Sequence, residues 1–88
     1  MPEIPADLEN RIKQILVERL FLEITPESLS SNESLTENHG VDSVRLFDMV
    51  VGLEEDFEIS FEDEELTIDN FDTVSAIAQR VKQKMESA

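Results

Sequence analysis

Residues 40–59 read GVDSVRLFDMVVGLEEDFEI, and this stretch decides the fold. It opens on Gly-Val-Asp-Ser, continues as an apolar segment and closes in a cluster of acids. Asp42 is a natural helix N-cap, because its side-chain oxygen can accept from an early orphan backbone N–H. Ser43 then stands at the positive end of the helix dipole, where backbone donors favour an anion. Gly40 frees the backbone just before the turn into the helix. At about 100° per residue, Leu46, Met49, Val50, Leu53 and Phe57 share one stripe, which is a core face. Val44, Phe47 and Val51 form a second stripe beside Asp48 and Glu55. A surface helix does not need that stripe, and an apolar strip flanked by acids has the character of a docking face. Gly52 costs about 1 kcal/mol relative to alanine inside a helix, so close packing or close partner approach is expected there.

The rest of the chain reads as helix and loop. From Ala6 to Leu22 the pattern is helical, with Leu8, Ile12, Ile15, Leu16 and Leu20 on a core stripe that Val17 and Phe21 widen. Pro5 suits a first helical turn, and Pro26 forbids continuation. Thr25 to His39 is a long polar loop, expected to be pinned by Leu29 and Leu35. His39 reads as a solvated loop histidine; the alternative is a pH-sensitive latch beside Ser43. Glu62 to Leu66 reads as a short helix, with Leu66, Ile68 and Phe71 as anchors. Asp72 or Thr73 caps the last helix, whose stripe is Val74, Ile77, Ala78, Val81 and Met85. The expected architecture is all-α, a small bundle of three main helices and one short helix.

Composition narrows the function. The 88 residues correspond to one small domain covering 1–88, with 40% hydrophobic residues and no cysteine. The chain has no thiol of its own. The net charge of −14 argues against nucleic acid and anionic membranes and favours basic partners. Between Asp42 and Asp72 there are twelve acids and one base, Arg45. No apolar run has transmembrane length, and a cytoplasmic monomer is the default. A lone histidine is no metal site, and no Gly follows Gly52 to build an EF-hand, so no specific metal centre is expected. No buried carboxylate pair is foreseen, so the chain is read as no enzyme. The segment 60–71 has few apolar anchors and many acids, and is expected to open first and to respond to salt.

An isolated Asp-Ser before a helix is by itself usually a cap. The surrounding residues change that reading. Gly40, Asp42, Ser43, Asp48, Leu53, Glu54, Glu55, Phe57 and Ile59, followed by Asp63, Glu64 and Glu65, resemble the acyl carrier proteins. Thr25-Pro26-Glu27 and Ser34-Leu35 resemble that family's first loop. In the central part, DS is followed ten residues later by LEEDF. The resemblance implies a four-helix acyl-carrier-like bundle. It implies that Ser43 receives 4′-phosphopantetheine from coenzyme A through a Mg²⁺-dependent phosphopantetheinyl transferase, with Asp42 close to the reacting centre. No nearby residue is a dedicated base, which suits a serine that is another enzyme's substrate. The arm's thiol would carry acyl groups as thioesters to enzymes of fatty-acid, lipid or polyketide-type synthesis. Partner docking is expected at Val44, Phe47, Asp48, Val51, Glu54 and Glu55, alongside Asp56, against basic patches on acyl-loading and acyl-transferring enzymes. The acyl pocket is expected at Val50, Leu53, Phe57, Phe61 and Phe71, and the three phenylalanines crowd it. Val44, Arg45, Asn38-His39 and Phe61-Glu62 depart from the family pattern, as do about two extra residues before the last helix; cargo and partners stay open. Two alternatives remain: an aminoacyl or peptidyl carrier, and an unmodified acidic helical adaptor.

Overall fold

The computed structural model describes residues 6–87, with side chains from residue 7 to residue 86. Pro5 therefore lies outside the described residues. Three long helices, α1 (Ala6–Arg19), α3 (Ser43–Phe57) and α5 (Val74–Ser87), make the frame. Two short helices, α2 (Leu35–His39) and α4 (Ile68–Phe71), sit in the connections, together with 3₁₀ turns at Pro26–Ser28 and Asp63–Glu65. No strand occurs among the described residues. The all-α expectation holds, with one more short helix than foreseen.

The core is assembled from the expected stripes. Ile12, Ile15, Leu16 and Leu20 of the first segment meet Leu46, Met49, Val50 and Leu53 of α3 and Val74, Ile77, Ala78 and Val81 of α5. Leu29 and Leu35 are fully buried and pin the long loop as expected. The loop is also tied through its backbone. Leu35 N–H donates to the Asp72 carbonyl at 2.7 Å and Ser75 N–H to the Ser31 carbonyl at 2.9 Å. Asp72 adds its carboxylate, which accepts from Ser34 Oγ at 2.8 Å and Thr36 N–H at 3.0 Å. Burial pushes the Asp72 carboxyl upward, but the donors from Thr36, Ser34 and Leu35 outweigh it and hold it below its ordinary value.

Several boundaries differ from the sequence reading. The first helix stops at Arg19, and Phe21, expected in the core, is exposed. Its φ of 54° is left-handed, so the backbone reverses there and turns the ring outward. The short helix lies later than expected, because Thr67 caps α4 by accepting from Asn70 N–H, leaving only a 3₁₀ turn at Asp63–Glu65. Residues Leu35–His39 are helical because Ser34 caps them and Gly40, at φ 64°, ends them in the left-handed region. His39 is not a solvated loop residue. It closes α2 half-buried, with Nε2 3.0 Å from Glu33. Thr73 is the cap of α5, accepting from Ala76 N–H at 3.0 Å. Met85 is exposed rather than part of the α5 core stripe.

The segment 58–71 is better anchored than expected. Phe61 and Phe71 pack edge to face, with ring centroids 5.2 Å apart. Glu65 turns inward to Lys84 at 2.6 Å and Arg80 at 3.8 Å, and also accepts from Glu62 N–H at 2.8 Å. The lysine hydrogen bond is the main reason its carboxyl lies below the ordinary value.

Candidate functional site

The site grows from the start of α3. Asp42 has extended backbone angles and accepts from Arg45 N–H at 3.0 Å, so it is the N-cap. Ser43 is the first helical residue. It is exposed, and its hydroxyl makes no hydrogen bond to another described residue. Among the described residues no side chain bonds to it as a base, and the imidazole of His39 is engaged by Glu33. Burial and capping are therefore both assigned elsewhere, and the hydroxyl is left presented.

Beside Ser43 lies a groove of about 350 Å³ lined by Ser43, Leu46, Phe47, Leu66, Thr67, Ile68 and Asp69. One wall is the first turns of α3. The other is the start of α4. The floor is mostly apolar, and Thr67 and Asp69 supply polar groups at the rim. Ser43 thus brings its exposed hydroxyl to a groove that is largely apolar. The sequence reading did not foresee this wall. The signal that could have found it is Thr67 as a cap, with Asn70 three residues on.

The second stripe of α3 is presented to solvent. Val44 is 75% exposed, Phe47 53% and Val51 44%, and Asp48 is exposed beside them. The acids expected on this face divide. Glu55 is exposed but ion-paired with Arg19 at 2.6 Å. Asp56 is held by Arg11, whose hydrogen bond keeps its carboxyl below the ordinary value. Glu54 is half-buried rather than fully exposed, and its carboxylate accepts from Phe61 N–H at 2.8 Å. It sits on the α3 side that faces the following connector, so it serves the fold.

Val50, Leu53, Phe57, Phe61 and Phe71 are brought together, but as packed core. None of them lines the groove beside Ser43. Gly52 is explained by packing: a Cβ there would meet Arg19 Nε at 2.9 Å and Ile15 Cγ2 at 3.1 Å. Among the described residues no cluster of His, Cys, Asp and Glu is arranged to hold a metal ion, and no helix is long and apolar enough to cross a membrane.

A family model described as the phosphopantetheine attachment site matches residues 10–81. The match begins within α1, ends within α5 and includes the whole groove. This domain is the place of covalent 4′-phosphopantetheine attachment, and such domains are generally non-catalytic carriers that meet phosphopantetheinyl transferases and synthesis enzymes. The chain belongs to the phosphopantetheine attachment site family.

Proposed function

We propose that Ser43 bears the 4′-phosphopantetheine arm and that the chain is an acyl carrier protein. The observation that supports this most is the Ser43 hydroxyl itself: exposed, without a hydrogen bond to any described residue, first in α3 and lining the apolar groove. The α3 N-terminus supplies unsatisfied backbone N–H groups for the phosphate, and Leu46, Phe47, Leu66 and Ile68 supply contact for the arm. In the transfer, Ser43 Oγ forms a bond to the pantetheine-side phosphorus of coenzyme A as the phosphoanhydride bond breaks and adenosine 3′,5′-bisphosphate leaves with the bridging oxygen. The hydroxyl proton passes to a base of the transferase, since no described residue is bonded to the Ser43 hydroxyl to take it. Asp42 orients the attacking residue by capping its helix. The bound arm supplies a thiol, which the cysteine-free chain lacks.

Acyl cargo, rather than aminoacyl or peptidyl cargo, is supported by the net charge of −14, which suits synthesis enzymes with basic docking patches. In this reading, Val44, Phe47, Asp48, Val51, Glu54 and Glu55 form the docking face. Val50, Leu53, Phe57, Phe61 and Phe71 would admit an acyl chain only by moving apart. In this reading residues 1–88 form one carrier domain that works as a cytoplasmic monomer, and the catalysis belongs to its partners. The test is an intact mass after incubation of the full chain with a phosphopantetheinyl transferase, Mg²⁺ and coenzyme A. Wild type should gain one arm and Ser43→Ala none. Modification of the alanine variant would overturn the assignment, and failure of the wild type to gain any mass would leave the adaptor reading.

A further inference from the structure

Phe21 is out of place by every local rule. It occupies the left-handed region at φ 54°, a conformation that disfavours any residue with a Cβ. It follows the last turn of α1, where Leu22 N–H reaches back to the Val17 carbonyl at 3.1 Å. That is the helix-ending position that glycine fills best. A core residue could offset the strain by burial, but the Phe21 side chain is 84% exposed. The isolated fold therefore carries a strained backbone and a solvated aromatic ring at the same residue, with no gain from either.

The backbone that bears the ring is nevertheless tied down. Arg45 Nη1 donates at 2.9 Å to the Leu20 carbonyl, which belongs to the peptide group joining Leu20 to Phe21. Arg45 lies in the first turn of α3, two residues beyond Ser43. Its positive charge, the only one between Asp42 and Asp72, is spent on this tether. Phe21 thus stands beside the Ser43 end of α3. Val44 and Phe47 are exposed on α3 itself, and Ile68 is exposed on α4, across the groove. Three separate elements thus present apolar side chains around one serine. Asp42, Asp48 and Asp69 are exposed among them.

We infer that Phe21 is an aromatic docking anchor for the phosphopantetheinyl transferase, beside the Ser43 end of α3. This rests on Ser43 being the modified residue, because an enzyme acting on Ser43 must cover the surface around it. The surface fits an apolar cleft with a basic rim, since its exposed charges are acidic and a charge of −14 stands behind them. Exposed, pre-positioned aromatics at the centre of such contacts carry a large share of the binding energy. Strain at the residue is consistent with a function that is not stability.

The test compares wild type, Phe21→Gly, Phe21→Ser and Ser43→Ala as substrates of a transferase with Mg²⁺ and coenzyme A, alongside thermal melts. Phe21→Gly should melt higher than wild type, because glycine relieves the left-handed backbone and no packing is lost. Both Phe21 variants should raise the KM for the carrier on the order of tenfold with kcat unchanged, as expected for a lost anchor. Both should still gain one full arm at saturation. Wild-type KM in both variants, or a lower melting temperature for Phe21→Gly, would overturn the anchor while leaving Ser43 untouched. Modification of Ser43→Ala, or no modification of wild type, would instead overturn the reading of Ser43 and the anchor with it.

Discussion

The Arg19 side chain lies across Gly52. A Cβ built on that glycine would stand 2.9 Å from Arg19 Nε and 3.0 Å from its Cγ, with Ile15 Cγ2 at 3.1 Å on the other side. The glycine is therefore the seat on which α1 packs against α3, and the Arg19–Glu55 ion pair closes over it. Alanine normally gains about 1 kcal/mol over glycine in a helix. Here Gly52→Ala should instead lose about 1 kcal/mol, since overpacking costs about 1–3 kcal/mol. In an Arg19→Ala background the penalty should shrink, because two of the three close atoms are gone. Urea denaturation of the four proteins checks this, and a stabilised single Gly52→Ala would show that Arg19 simply moves aside.

The two stripes of α3 should separate stability from partner engagement. Leu53 is fully buried, and Leu53→Ala should destabilise by about 2–5 kcal/mol. Val51 is 44% exposed, and Val51→Ala should leave the melting temperature nearly unchanged while slowing modification by the transferase or loading by an acyl-transferring enzyme. Melting curves and loading rates measured on the same samples decide it. An unfolded Val51→Ala beside a benign Leu53→Ala would reverse the assignment of the faces.

Asp72 joins the long loop to the start of α5. Its ionised carboxylate accepts from Ser34 Oγ and Thr36 N–H, and its carboxyl lies below its ordinary value. A lowered value in the folded state means that stability from this group is present above the unfolded carboxyl range and is lost as pH falls through the folded one. Asp72→Asn should cost about 1–3 kcal/mol at pH 7, the scale of hydrogen bonds to a charged group. Denaturation midpoints of wild type and variant should converge below about pH 4, the ordinary aspartate range. A gap that stays constant down to pH 2 would show that the charge contributes nothing there.

Glu65 and Glu64 are neighbours with opposite surroundings. Glu65 is half-buried against Lys84 and Arg80, whereas Glu64 is exposed. Glu65→Ala should speed hydrogen exchange between residues 60 and 71 and lower stability by about 1–2 kcal/mol. Glu64→Ala should stay within about 0.5 kcal/mol of wild type. Salt should raise the melting temperature of all three proteins by screening the excess of acids, with the Debye length near 10 Å at 0.1 M. Equal exchange in the two variants would show that the lysine contact holds nothing in place.

The periodicity of the sequence by itself determined the three long helices and nearly every core residue, because a 3.6-residue apolar repeat has few ways to be buried. The α3 N-terminus was equally legible, since Asp42 is a cap whatever packs around it. Both faces of α3 could be drawn in advance, and Val44, Phe47 and Val51 are indeed exposed. Tertiary structure alone decided what followed from contacts distant in sequence. Phe21 has the period of a core residue, but α1 ends at Arg19 and a left-handed turn aims the ring at solvent. Glu54 reads as a surface acid, yet a connector folded back onto it needs an acceptor for Phe61 N–H. The groove beside Ser43 joins residues about twenty-five positions apart, which no local pattern brings together. Local rules govern which face a residue takes within its own helix; where that helix stops and what comes to lie against it are settled by chain reversal and packing.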